Sequence, residues 1–201
     1  RKALLLAACC AALASPSYAA PDYAPAIKAD YDKSLGTLWD YFHRNPELSF
    51  REFNTAARMA KELRAVSGMV VTEKVGGTGV VGVLKNGDGP VILLRADMDG
   101  LPVEERSGLP NSSKARQIGV DGVENPVMHA CGHDGHTAML LGAAKYLSET
   151  RNFKGRVALI FQPAEEAIGG GRIMVEEGMM ERFRIDEVYA IHTDSFAQAG
   201  E

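Results

Sequence analysis

Three apolar segments of this chain each end in a short run of acidic or histidine residues. They are VILLRADMD at 91–99, VALIFQPAEE at 157–166 and EVYAIHT at 187–193. Helix-like segments alternate with them, which is the order typical of a mostly parallel sheet with helices on its faces. In such open α/β sheets the ligand crevice lies outside the carboxyl ends of the strands. The sequence therefore predicts an α/β fold in which these strand ends converge on one site.

Two local patterns add detail to this predicted fold. NGDG at 86–89 separates two strand-like runs and favours a tight hairpin between them. Ser49, with Glu52 three residues later, fits a capping box for a helix that runs to about Val66. The polar stretch at 104–126 is rich in turn-forming residues and is interpreted as a long surface loop.

The segment VMHACGHDGH, at 127–136, places a cysteine between two histidines. A redox pair would need a second cysteine, and Cys131 is the one cysteine outside the first 20 residues. A cysteine nucleophile stays open, because a histidine lies close on either side. Cysteine and histidine two positions apart, with carboxylates and another histidine downstream, suit a zinc-type site better.

The acidic strand ends admit a bland and a functional interpretation. Glu165 and Glu166 are either a solvated turn or a pair that shares a cation, with one carboxylate as ligand and the other moving protons. Asp97 and Asp99 share a strand face by the period of two, so they either cap a turn or support a metal site. His192 alone would be structural, but its position at a strand end favours a ligand.

Four other polar residues near these motifs are not assigned a functional role. His129 and His136 are ambiguous, and Asp134 fits a helix cap as well as a ligand. His43 has no carboxylate or cysteine beside it in the sequence and is interpreted as structural. The net charge of −4 gives no electrostatic basis for binding nucleic acid or an anionic membrane.

The N-terminal segment differs from the rest in composition. A basic start, an apolar run and small residues predict a signal peptide over residues 1–19, and thus export to the periplasm or the medium. LAAC, at 6–9, also fits a lipoprotein box with Cys9 as the attachment site. A buried N-terminal helix is the remaining alternative.

Four motifs, in this order along the chain, are similar to a known family. They are HRNPELSFREF at 43–53, RADMDGLPVEE at 95–105, HACGHDGH at 129–136 and PAEEAIGGG at 163–171. Together they resemble the M20 metallopeptidase family, in its amidohydrolase branch of hippurate hydrolases and IAA-amino acid hydrolases. The resemblance covers residues 24–194.

This resemblance implies a two-metal hydrolase that cleaves the amide bond of N-acyl amino acids or short peptides. It makes Cys131 the bridging ligand and His133, Glu166 and His192 further ligands, with Glu165 as general base. The ligand types permit Zn or Mn, with Co or Ni as alternatives.

The wider family carries a His-x-Asp motif where this chain has Asp97-Met98-Asp99. The first ligand of that motif is therefore absent. Asp99 matches the orienting aspartate and is placed with Glu165 among the catalytic residues. Asp97 is placed behind the ligands, as support.

The resemblance also implies a zinc-exopeptidase-like catalytic domain, with residues 20–201 as its N-terminal part. A lid domain that mediates homodimerisation and a last histidine ligand are expected beyond Glu201. This chain alone is thus expected to be an inactive fragment. The alternatives are a metallo-carboxypeptidase or dipeptidase of the same family, a non-catalytic periplasmic metal- or ligand-binding protein, and a cysteine-nucleophile hydrolase.

Overall fold

The computed structural model describes residues 22–166 and 169–194. The helices are Ala24–Asp30 (α1), Gly36–Arg44 (α2), Phe53–Ala65 (α3), His133–Thr150 (α4), Gly170–Glu176 (α5) and Met179–Phe183 (α6). The strands are Met69–Val75 (β1), Gly79–Asn86 (β2), Val91–Asp97 (β3), Arg116–Ile118 (β4), Glu124–Pro126 (β5), Gly155–Gln162 (β6) and Glu187–Ala190 (β7). A π-helical turn, Tyr31–Leu35, joins α1 to α2. The predicted signal peptide lies outside the described residues and stays a prediction.

The main sheet has five strands in the order β1-β2-β6-β3-β7. Strands β6, β3 and β7 pair in parallel, whereas β2 is antiparallel to both β1 and β6. Four of these five strands therefore point in the same direction, which confirms the predicted mostly parallel α/β sheet. The predicted loop at 104–126 carries a small antiparallel pair, β4 and β5.

The hairpin predicted at NGDG is wrong. Strand β6 lies between β2 and β3: it pairs with β2 along one edge and with β3 along the other. Four consecutive β6 residues, 158–161, are at most 2% exposed, so the most buried strand takes the centre of the sheet. The turn after β2 instead crosses over the start of β6. A Cβ on Gly155 would lie 2.2 Å from the Pro90 carbonyl oxygen, so glycine is needed at that crossing.

Helices cover both faces of the sheet, and β6 separates two hydrophobic cores by its alternation. Val157, Leu159 and Phe161 belong to the core under α2, α3 and α4. Ala158 and Ile160 belong to the core under α5 and α6. Side chains of a strand alternate between its faces, so a continuously apolar β6 serves both cores.

The predicted capping box at Ser49 and Glu52 is also wrong, although α3 ends where expected. Within the described chain, the Glu52 side chain makes no capping hydrogen bond to α3. The Glu47 carboxylate caps the helix instead, accepting from the backbone N–H groups of Asn54 and Thr55 at 3.2 and 2.7 Å. Ser49 and Glu52 are buried and bond to distant parts of the chain, described below.

The burial of Glu52 predicts a pH-dependent stability. Burial raises the pKa of this carboxyl from 4.5 to about 6, against the hydrogen bonds it accepts. Since the folded state favours the protonated form, the contribution of Glu52 to stability is fully present below pH 4.5 and is lost as the pH rises through about 6. At about 1.4 kcal/mol per pKa unit, the loss is about 2 kcal/mol.

Glu52→Gln is expected to remove this loss in the metal-free protein expressed from its full reading frame. The unfolding free energy of the variant minus that of the parent should increase by about 2 kcal/mol between about pH 4 and about pH 7. Denaturant unfolding at both values measures it. A difference that does not vary with pH would contradict the raised pKa.

Among the described residues, no helix combines the length and the apolar character that crossing a membrane requires.

Candidate metal centre

Two overlapping groups of side chains that could hold a metal ion lie at the carboxyl ends of β3, β6 and β7. Within each group, one ligand atom per residue lies within 4.8 Å of all the others. The groups are Cys131, His133 and Glu166, and Asp97, His133, His136 and His192. His133 belongs to both groups, so two ions held here would be close neighbours.

The start of α4 brings His133 into this cluster. Gly132 precedes the helix with φ +82°, which lets the Cys131 loop turn directly into α4. Nδ1 of His133 donates to the Asp99 carbonyl oxygen at 2.8 Å, so Nε2 points to the cluster.

Two buried polar atoms of the cluster lie close to each other, and neither has a hydrogen-bond partner among the described residues. They are Nε2 of His133 and Oε1 of Glu166, 3.7 Å apart. Unpaired buried polar atoms are costly, and a cation between a ring nitrogen and a carboxylate oxygen would satisfy both. The donors present therefore fit a metal ion.

Cys131 fits a metal ligand better than a nucleophile. Burial and the nearby charge of Glu166 raise the pKa of its thiol to about 11. A nucleophilic cysteine requires the opposite shift. The Sγ atom lies 3.8 Å from Nε2 of His192, and a cation at this position would stabilise the thiolate.

His136 is not a free ligand, despite its position in the second group. Its Nδ1 lies 2.7 Å from Oδ1 of Asp97, and its Nε2 accepts the backbone N–H of Thr193 at 3.1 Å. Thr193 Oγ1 also donates to the Cys131 carbonyl oxygen at 2.7 Å. Thr193 and His136 thus hold the segment after β7 against the Cys131 loop. The remaining candidate ligands at the cluster are Cys131, His133, Glu166 and His192.

Glu165 and Glu166 both face the cluster but differ in access. The Glu166 side chain is 15% exposed and the Glu165 side chain 36%. Burial, with the charges of Glu165 and Asp99, raises the pKa of Glu166. The geometry suits an inner ligand at Glu166 and a proton acceptor open to substrate at Glu165.

Asp97 is fully buried and lies among several basic groups. Arg95 Nη1 lies 2.7 Å from Oδ2, and His136 is bonded to Oδ1. Burial opposes ionisation, but the hydrogen bond from His136 and the nearby positive groups hold the pKa of Asp97 below its usual range. Its Oδ2 lies 3.5 Å from Nε2 of His133 and 3.4 Å from Nε2 of His192, and it has no hydrogen-bond partner among the described residues.

Asp99 is only 1% exposed and lies behind the cluster. Its carboxylate accepts from the Ser49 hydroxyl at 2.6 Å and from the backbone N–H groups of Glu165 and Glu166 at 3.0 and 3.1 Å. Its carbonyl oxygen orients His133. Its contribution is therefore orientation of the ligand and of the glutamate turn.

A second polar network was missed by the sequence interpretation. His43 does have carboxylate neighbours: Nδ1 lies 2.8 Å from Asp134 Oδ2 and Nε2 lies 3.3 Å from Glu105 Oε1. Trp39 Nε1 also donates to Asp134, at 2.9 Å. Burial opposes protonation of His43, yet the two carboxylates raise its pKa. Asp134 is thus anchored to α2.

His129, in the same motif, is also buried. Burial lowers the pKa of its ring to about 4, so the ring is neutral.

The sheet and the residues at its strand ends define an α/β protein with a group of candidate metal ligands. The model of the peptidase family M20/M25/M40 matches residues 93–200, more than half of the chain. The chain belongs to this family, which confirms the resemblance predicted from the four motifs.

Two curated proteins are similar in sequence to this chain. The chain is 51% identical over 155 residues to a hippurate hydrolase of Campylobacter jejuni, covering 77% of this chain and 38% of that protein. It is 45% identical over 163 residues to thermostable carboxypeptidase 2 of Saccharolobus solfataricus, covering 79% of this chain and 38% of that protein. The chain thus spans little more than a third of these relatives.

A solved structure shares the fold. The Bacillus subtilis YXEP protein, described as a dinuclear metal-binding peptidase from the M20 family, has a TM-score of 0.73 and 35% identity. The match covers 84% of this chain and 44% of that chain.

Proposed function

We propose that the protein carrying this chain is a metal-dependent amidohydrolase that cleaves the amide bond of N-acyl amino acids. The observation that carries the proposal is the orphan pair of His133 Nε2 and Glu166 Oε1 beside the accessible carboxylate of Glu165. A site that only binds a metal ion does not require a second, solvent-accessible carboxylate next to a metal-ligating one. Similarity to a hippurate hydrolase supports the N-acyl amino acid as substrate class.

Two divalent ions would be held by Cys131, His133, Glu166 and His192. When bound, such ions lower the pKa of a coordinated water and polarise the carbonyl of the scissile amide. Zn or Mn suits this donor set, with Co or Ni as alternatives.

The residues of the chain then divide the proton transfers. Glu165, at 36% exposure, accepts a proton from the water that adds to the amide carbonyl carbon. It returns this proton to the amide nitrogen as the C–N bond breaks, which yields a carboxylic acid and a free amine. Asp97 and Asp99 keep the ligand rings and the glutamate turn in position throughout.

A carboxypeptidase that acts on short peptides is the second candidate. It has the same chemistry and is favoured by the 45% identity to a thermostable carboxypeptidase. The two candidates differ only in the group on the acyl side of the cleaved bond.

We further propose that the protein is exported by the N-terminal leader, with Cys9 as a lipid attachment site if the leader is of the lipoprotein type. The full-length protein is proposed to be a homodimer through a lid domain that follows Glu201 in the sequence. Fractionation of the native host and light scattering on the purified protein address these two points.

A substrate panel tests the activity. The full-length protein is assayed with benzoylglycine, N-acetyl amino acids and unblocked dipeptides, before and after treatment with a chelator. We expect N-acyl amino acids to be cleaved, the chelator to abolish cleavage, and Zn or Mn to restore it. Faster cleavage of dipeptides would favour the carboxypeptidase. Activity that resists the chelator but is lost on thiol alkylation would support a cysteine nucleophile and overturn the proposal.

A further inference from the structure

Two buried carboxylates hold the turn that presents Glu165. Three consecutive backbone N–H groups, those of residues 164–166, are each bound by a carboxylate oxygen. Glu52 Oε1 accepts from Ala164 at 2.8 Å, and Asp99 accepts from the next two. Both carboxylates come from parts of the chain more than 60 residues away.

This turn needs support because its backbone is unusual. Successive residues of a strand point to opposite faces, yet Glu165 and Glu166 both lie within 4 Å of Nε2 of His133. The break occurs at Ala164, which is fully buried and has φ +50°, a conformation that residues other than glycine rarely adopt. The Ala164 N–H is therefore at the point where the chain leaves strand geometry.

Glu52 is itself held in place through both its backbone and its side chain. It is fully buried, and its backbone forms the N-cap position of α3. Its second oxygen, Oε2, accepts from the Thr78 hydroxyl at 2.5 Å, in the turn between β1 and β2. The side chain thus connects α3, the β1–β2 turn and the glutamate turn through one carboxyl group.

We propose that Glu52 is a positioning residue for the general base, an inference that rests on the proposed function. By holding the Ala164 N–H, Glu52 keeps the left-handed turn in the one arrangement that directs Glu165 to the substrate. It touches neither metal ligands nor reacting atoms. The loss of this contact frees Ala164 and shifts the adjacent Glu165. Asp99 still holds the Glu166 N–H and the His133 ring, and Thr193 still holds the Cys131 loop.

Substitutions that differ in their reach to Ala164 test this role in the full-length protein. Glu52→Gln keeps an acceptor for the Ala164 N–H and gains a donor for Thr78, so we expect its kcat to stay within about threefold of the parent. Glu52→Asp is one methylene shorter, and Glu52→Leu has no acceptor. For both we expect kcat to fall about 10–100-fold, since small displacements of a catalytic group have effects of this size.

Two further readouts separate positioning from general damage. KM for benzoylglycine and the metal content after gel filtration should be unchanged in all three variants. The matched control is Glu62→Leu, the same substitution at an α3 glutamate whose carboxylate pairs with Arg58. It should leave kcat unaltered.

The outcomes distinguish this inference from the proposed function. If Glu52→Asp and Glu52→Leu keep the parental kcat while Glu165→Gln is inactive, Glu52 has no positioning role and the proposed function stands. If Glu52→Leu loses metal along with activity, its role is in the stability of the whole site, and the inference is likewise overturned. An active Glu165→Gln would remove the general base itself.

Discussion

Replacement of Glu165 by glutamine is expected to lower kcat by about 10²–10⁴-fold, the usual contribution of a general acid–base residue. Glutamine has the same size, and the backbone N–H that Asp99 holds is retained. The amide side chain cannot accept the proton of the attacking water. KM and metal content should be unchanged, because Glu165 is in neither group of candidate ligands and its side chain is 36% exposed.

Steady-state kinetics with an N-acyl amino acid and metal analysis of the purified variant measure these effects. Glu176→Gln, at an exposed glutamate on α5, is the matched control and should have parental kinetics. Residual activity of Glu165→Gln above a tenth of the parental value would remove Glu165 from the role of base.

Replacement of Cys131 by alanine is expected to have a comparably large effect, but on metal binding. Cys131 forms one ligand group with His133 and Glu166, and its sulfur lies 3.8 Å from Nε2 of His192, so its loss would remove a ligand from the centre. Removal of an outer partner of a ligand typically lowers metal affinity 10–100-fold, and removal of the ligand itself should lower it by at least about 100-fold. Activity should fall in parallel.

Competition with a chromophoric chelator and metal counting after desalting measure this loss. His129→Ala is an informative comparison, since that histidine is in the same motif but in neither ligand group. It should retain two ions per chain. If Cys131→Ala also retains two ions, the cysteine is not a ligand and the site must be rebuilt from the other donors.

The convergence of the site could be predicted from the sequence, because it depends on a local rule. Asp97, Glu165 and His192 each follow an apolar run, and parallel strands place their carboxyl ends at one edge. The structure brings all three together around His133. Their joint position required no knowledge of which strands are neighbours.

Strand order and long-range polar contacts could not be predicted in the same way. The glycine-rich turn at 86–89 has the composition of a hairpin, but the buried β6, about 70 residues later, competes for both of its flanking strands. His43 meets Asp134 across 91 residues. Glu52 meets Ala164 across 112. Such contacts depend on the finished packing, and no local pattern encodes them.

Strand β7 is the outermost strand of the sheet. All four of its residues are exposed, and among the described strands it pairs with β3 alone. After β7, side-chain contacts of His192 and Thr193 with the Cys131 loop join two parts of the chain that are about 60 residues apart in sequence. An ion shared by Cys131 and His192 would cross-link these two parts, and its binding energy would be added to the stability of the sheet edge. Metal loading would then stabilise this edge of the described sheet as well as complete the reaction centre.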